Sequence, residues 1–249
     1  MDDPRAPSVP PRVSGRATEA IFLPGFDGAA RLRDEFVSEL GKRVPSRSIG
    51  YPNRNLHTLE GYWRHAASEL AEGSRPVLIA ESFSGLVAAR WAASEPRIAG
   101  VVLCGAFARN PSRIAAALGA AWPSAAKFTG TRFMTPYLLA RHEIRDAREK
   151  RWTRALPEAL GELQPSVIGE RLRLIAREST ARDLSKLTIP IVLVHFEGDR
   201  IIHRGARRHL ESVCHNAKVM RLPGPHFALE TRPLQCAEAI ADSIAHLFE

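Results

Sequence analysis

Apolar residues along this chain fall into two kinds of run. Short, continuous ones occur at 19–23, 77–80, 99–104, 189–195 and 218–222, with a weaker one at 46–51 that ends at Pro52. Runs this short and unbroken do not make an amphipathic helix and read as buried strands. Between them the apolar positions recur every three or four residues. Leu32, Phe36 and Leu40 mark a helix over 29–42, and Leu59, Tyr62, Trp63, Ala66 and Leu70 one over 57–72. Leu86, Val87 and Trp91 mark another from 84 to about 93, and Cys236, Ile240, Ile244 and Leu247 a last one over 233–248. Strands alternating with helices, the strands nearly all apolar, predict an α/β fold with a mostly parallel sheet covered by helices on both faces. Residues 107–186 break this rhythm. They hold no strand-like run, only helical patterns around 112–121, 137–154 and 167–179. The expected organisation is therefore a core of 18–106 and 187–249 with a helical insertion between two of its strands. Residues 1–17, rich in Pro, Arg, Ser and Gly without periodicity, read as a disordered leader.

Composition narrows the class of protein. At 249 residues, 45% hydrophobic and 25% charged, the chain is ordinary for a globular protein. No apolar run approaches the roughly 20 residues that span a bilayer, and the N-terminus lacks the apolar core of a secretory signal. Neither membrane insertion nor export is expected. Three widely spaced cysteines, Cys104, Cys214 and Cys236, form no C-x-x-C pair. That speaks against a zinc site or disulfide framework, and for a reducing, cytoplasmic setting. The net charge of +8 first suggests nucleic acid, but no helix-turn-helix, zinc or aromatic-basic signature accompanies it. The charge sits in the insertion: 107–186 carry 15 Lys and Arg against 8 Asp and Glu. This reads either as a solvated helical surface or as an electropositive rim that attracts an acidic partner or an anionic substrate.

The chemistry is concentrated after the 77–80 run. Ala80-Glu81-Ser82-Phe83-Ser84 sets a serine between small residues where a buried strand turns at once into a helix. Such a turn puts its middle residue at a strained apex, and only small neighbours fit against strand and helix; that is the physical content of a nucleophile elbow. Taken alone, the pentapeptide fits equally well a serine that only caps a helix. A serine hydroxyl needs a base, and the base a carboxylate to orient it. On a parallel sheet these partners belong in loops after later strands. Asp199 follows the 189–195 strand on a glycine-led turn, Glu197-Gly198-Asp199, and His226 follows the last strand in Pro223-Gly224-Pro225-His226. Glu197 and His203 are the competing acid and base. Asp199 is preferred because it follows the turn glycine, and His226 because His203 lies only four residues past that acid and cannot easily turn back to it. The order Ser82, Asp199, His226 makes a serine hydrolase the primary reading.

The segments Leu23-Pro24-Gly25-Phe26-Asp27-Gly28, Ala80 to Gly85, Gly198-Asp199 and Pro225-His226-Phe227 resemble those of the α/β-hydrolase superfamily, and the resemblance covers 19–249. It implies the α/β-hydrolase fold, with the insertion as a helical cap over the site. It also implies hydrolysis of a carboxylic ester through an acyl-enzyme, no metal or other cofactor, and an oxyanion held by the backbone N–H groups of Phe26 and Phe83. Ala80 replaces the usual first glycine of the elbow and Pro24 a frequent histidine, while the short leader leaves room for about six strands rather than eight. Among the cap aromatics Phe107, Trp122, Phe128, Phe133, Tyr137 and Trp152 are candidates for an apolar acyl pocket. The chain is similar in size and cap to carboxylesterases that release pimeloyl-acyl carrier protein from its methyl ester in biotin synthesis. In that version Arg141, Arg145, Arg148, Arg151 and Arg154, at three- and four-residue steps, would dock the acidic acyl carrier protein. A thioesterase and a binding module with vestigial catalytic residues are the remaining alternatives.

Overall fold

The structure is a computed structural model that describes residues 15–111 and 147–248. Strands β1 (Glu19–Leu23), β2 (Ser46–Ser48), β3 (Pro76–Glu81), β4 (Gly100–Cys104), β5 (Ile191–Phe196) and β6 (Lys218–Leu222) form a six-stranded sheet in the order β2-β1-β3-β4-β5-β6. Every neighbouring pair is parallel. All residues of β3, β4 and β5 are buried, which is why these strands read as unbroken apolar runs. The edge strands differ. β2 is only three residues long, and β6 exposes Lys218, Val219 and Arg221, of which the two charges blunt an open edge.

Side chains alternate between two cores, as the period of a strand requires. Phe22, Val77, Ile79, Val102 and Val194 face one way. There they meet Phe36 and Leu40 of α1 (Asp34–Gly41) and Ile240 and Ile244 of α9 (Pro233–Ile244). Ile21, Leu23, Leu78, Ala80, Leu103 and Leu193 face the other way. They pack on Ala66 of α2 (Leu59–Ala67), Ala88 and Trp91 of α3 (Ser84–Ser94), Leu184 of α6 (Ala181–Ser185) and Leu210 of α7 (Arg204–Val213).

Several boundaries move from the sequence expectation for local reasons. The 29–42 helix opens as a 3-10 turn, Ala30–Arg33, because the Asp27 carboxylate accepts the Ala29 N–H at 2.8 Å and draws the buried Arg33 inward. α2 starts at Leu59, since the Thr58 hydroxyl accepts the Gly61 N–H at 3.0 Å and caps it there. The 233–248 helix ends in a second 3-10 turn, Ala245–Leu247. Residues 1–14 of the expected leader lie outside the described residues. Ala17, its last residue, is already buried and donates its N–H to Leu247 O at 2.7 Å.

Of the insertion's helical patterns, 112–121 lies outside the described residues, as does the first part of 137–154. The later part of 137–154 runs into α4 (Ala147–Gly161), and the 167–179 pattern forms α5 (Pro165–Arg177), which opens on a proline whose missing N–H costs nothing in a first turn. An isolated antiparallel bridge, Arg109 to Ser179, joins the two ends of the insertion, with Thr180 N–H donating to Ala108 O at 2.8 Å. Trp152, Leu156 and Leu160, one face of α4, sit on Phe227 with Phe26 and Ile201 beside them. Among the described residues no helix is long and apolar enough to cross a membrane. All three cysteines are buried free thiols, and burial pushes Cys214 and Cys236 up to about 12.

Candidate active site

The strand order reverses between β1 and β3, and in an open parallel sheet the crevice beyond such a switch point is where loops diverge and ligands fit. The loop after β1 and the turn after β3 lie side by side there, because Leu23 and Ala80 are register partners. Ser82 occupies the apex of the second turn at φ 50°, a left-handed conformation that costs a non-glycine residue about 1–3 kcal/mol and persists only where its surroundings impose it. They do so here. Ser82 N–H donates to Cys104 O at the end of β4, and Ser82 O accepts from Gly85 N–H, both at 2.9 Å. Gly85 lets α3 lie this close to the loop after β4, since a Cβ there would stand 2.5 Å from the Ala106 Cβ.

The three residues read from the sequence meet at this apex. His226 Nε2 lies 3.1 Å from Ser82 Oγ, and His226 Nδ1 lies 2.8 Å from Asp199 Oδ2. The other carboxylate oxygen of Asp199 accepts the N–H groups of Ile201 and Ile202 at 2.8 and 2.9 Å. Both oxygens of a buried carboxylate are thus committed, which holds the second of them on the imidazole. Burial alone would raise the Asp199 pKa; the charge and hydrogen bond of His226, with the two amides, outweigh it and hold it below the ordinary value. Burial would likewise lower His226, but the Asp199 charge and hydrogen bond, aided by Glu81 and opposed by Arg33, leave it raised. The ring needs room: Gly105, at φ 52°, would with any Cβ press to 3.2 Å from His226 Nδ1. Of the competitors, Glu197 is exposed, and His203 caps α7 by accepting the Ala206 N–H.

Phe83 is fully buried with its ring edge-on to Tyr62 (centroids 5.2 Å) and Tyr51 (6.4 Å), which locks the backbone just after Ser82. Phe26 follows Gly25 in the loop after β1. Among the described residues neither the Phe26 nor the Phe83 backbone N–H has a hydrogen-bond partner, so both remain available as donors. Two further ties hold the loop of Phe26 to its neighbours. The Ser84 hydroxyl donates to Pro24 O and accepts from the Tyr51 hydroxyl at 2.6 Å. Arg171 of α5, fully buried, donates to Phe26 O at 2.6 Å and to the Tyr62 hydroxyl at 3.1 Å, its guanidinium lying over both the Tyr51 and Tyr62 rings. Tyr62 in turn donates to Glu170 Oε1, and burial pushes its hydroxyl up to about 12, so it stays a donor.

The candidate substrate residues are only partly in view. Trp152 is buried, with its ring centroid 3.9 Å from that of Phe227, the neighbour of His226. Phe107 is buried in a core cluster with Phe83, Leu86, Leu174 and Ile175. Arg151 and Arg154 are exposed on α4. Arg148 lies in α4 and its side chain is outside the described set. Trp122, Phe128, Phe133, Tyr137, Arg141 and Arg145 lie outside the described residues altogether. Among the described residues no group of three His, Cys, Asp or Glu is placed to hold a metal. The sequence reading missed Arg33, Asp27, Glu81, Glu230, Tyr51, Ser84 and Arg171. The only local signal was Glu81, an acid between an apolar strand and the elbow.

Comparison with known proteins agrees with this architecture. The family described as the Alpha/beta hydrolase family matches residues 20–239. A search of curated proteins finds no match. Among solved structures, an enol-lactonase from Burkholderia xenovorans LB400 has a TM-score of 0.76 at 16% identity, over 94% of this chain and 92% of that one. An esterase from Exiguobacterium antarcticum has 0.77 at 11% identity over 93% of each chain. MenH from S. aureus has 0.77 at 12% identity, over 96% and 97%. Likeness at such identities is likeness of fold; the sequence match across nearly all of the sheet and its helices is what places the chain in the alpha/beta hydrolase family.

Proposed function

We propose that this chain is a serine hydrolase that cleaves a carboxylic ester through a covalent acyl-enzyme. The observation that carries this reading is the buried relay from Asp199 through His226 to a strained Ser82, with spacings of 2.8 and 3.1 Å. Ser82 Oγ attacks the ester carbonyl while His226 Nε2 takes its proton. The negative charge on the carbonyl oxygen is met by the Phe26 and Phe83 N–H groups, donors fixed before the charge develops. Asp199 keeps the proton of the neutral imidazole on Nδ1 and stabilises the imidazolium. His226 then gives its proton to the departing alkoxide, leaving an acyl ester on Ser82. Water, deprotonated by His226, attacks that ester, and as the second tetrahedral intermediate collapses His226 returns the proton to the departing Ser82 Oγ, releasing the acid and restoring both residues. Two structural neighbours named as an enol-lactonase and an esterase support an ester-type bond over an amide. A thioester fits the same steps.

The test is covalent. Wild type should be labelled at Ser82 by a fluorophosphonate and turn over short p-nitrophenyl esters, while Ser82→Ala should lose labelling and about 10⁴-fold or more of kcat. Equal turnover by the alanine variant would sink the mechanism. A narrower reading, an ester carried on an acidic acyl carrier protein, is favoured by one observation: Arg151 and Arg154 are exposed on the same helix whose Trp152 covers Phe227 beside His226.

A further inference from the structure

Beneath the site lies a group of four buried ionisable side chains that the mechanism does not use. Arg33 is 1% exposed and meets three carboxylates, each through a different nitrogen: Nη1 to Asp27 at 2.7 Å, Nε to Glu81 at 2.7 Å and Nη2 to Glu230 at 2.8 Å. The Asp27 contact is an aligned hydrogen bond; those to Glu81 and Glu230 are close charge contacts without that alignment. What matters is where the three acids stand in the chain. Asp27 directly follows Phe26, Glu81 directly precedes Ser82, and Glu230 lies in α8 (Ala228–Thr231), the turn that follows His226 and Phe227. One guanidinium therefore touches the residue next to Phe26 of the oxyanion loop, the residue next to Ser82, and a residue of the turn that follows His226.

We propose that Arg33 is a positioning residue that clamps these three loops into one geometry; this rests on the serine-hydrolase reading above. Stability alone does not call for the arrangement. Burying one cation with three acids carries a desolvation cost, and replacing such buried ionic sets by apolar residues is often neutral or stabilising elsewhere. The acids outnumber the base. Burial, with the Glu81 and Asp27 charges and against Arg33, holds the Glu230 carboxyl well above its ordinary range. Lysine could not do the same work, since a single ammonium cannot reach in three fixed planar directions as a guanidinium does. Misplacing reacting groups by about 1 Å costs up to about 10²-fold in rate.

The test compares wild type with Arg33→Lys, which keeps the charge and loses the fork. Folding is read by near-UV circular dichroism, catalysis by kcat and KM on p-nitrophenyl acetate, and Ser82 reactivity by the rate of fluorophosphonate labelling. The expected result is a native spectrum, KM within about threefold of wild type, and kcat and labelling both lower by about 10- to 100-fold. The acid limb of the pH profile should stay in place, because the charge near His226 is kept. In Glu81→Gln that limb should move to lower pH, because the Glu81 charge favours the His226 cation. A folded Arg33→Lys with kcat and labelling within about twofold of wild type overturns the clamp. If Arg33→Lys does not fold, Asp27→Ala removes the oxygen that accepts the Arg33 Nη1–H and so frees the oxyanion loop alone. The clamp then requires a fall in kcat of about tenfold at unchanged KM, and wild-type kcat in that variant overturns it. A wild type that neither labels nor turns over esters would instead overturn the hydrolase reading and the clamp with it.

Discussion

Ser82 and His226 carry the consequences that belong to single residues. On the proposed mechanism His226 must be neutral to accept the Ser82 proton, so activity falls as pH drops through its pKa. Asp199, Glu81 and Arg33 are the charged groups that set that value, and their net effect against burial is to raise it. The prediction is that kcat/KM for a small ester rises with pH through an apparent pKa above the ordinary histidine value of 6.5. A limb at or below that value would mean that burial outweighs the Asp199 charge, and would overturn this prediction. Asp199, held low, stays ionised across the same range and adds no second limb there. These three candidates were legible because a local setting and the order along the chain agree for each: a serine between small residues, an acid after a turn glycine on a later strand, a histidine after Pro-Gly-Pro past the last strand. Arg33 was not. It lies on an amphipathic segment among other charged residues, and nothing local distinguishes a guanidinium that points to solvent from one that points into three carboxylates.

At the scale of elements, the site depends on how closely α3 approaches the loop after β4. The absent side chain of Gly85 sets that distance. Gly85→Ala should force Ala106 and α3 apart, lowering stability by about 1–3 kcal/mol, about 2–4 °C in Tm for each kcal/mol. It should also slow fluorophosphonate labelling, since Ser82 sits just ahead of α3. Thermal melts and labelling rates check both; an unchanged Tm would mean the helix has room to move. Strand and helix types followed from apolar periodicity because burial on two faces, or one, imposes it. Boundaries at Arg33 and Thr58 did not follow, because each is decided by local contacts that the pattern does not encode.

For the molecule as a whole, the open question is what reaches the crevice at the β1–β3 switch point. Much of the chain's charge of +8 comes from the insertion, and α4 presents Arg151 and Arg154 beside the face that covers Phe227. If an acidic carrier brings the substrate, reversing both charges to glutamate should lower kcat/KM for the carrier-linked ester by about tenfold or more at low salt. The effect should shrink as salt screens it, and a small chromogenic ester should be turned over as before. Equal losses on both substrates would count against docking. By itself the sequence determined the α/β class and the parallel sheet, and it pointed to an insertion and to Ser82, Asp199 and His226 as the candidate relay. Each of these is a periodicity or a short-range spacing, written in neighbouring positions. Only the tertiary structure decided that Arg33 and Arg171 are buried, that Phe107 packs inward, and that Asp27, Glu81 and Glu230 share one cation. Those depend on which faces of distant segments meet, and a buried charge is tolerated only where partners from elsewhere in the chain converge on it.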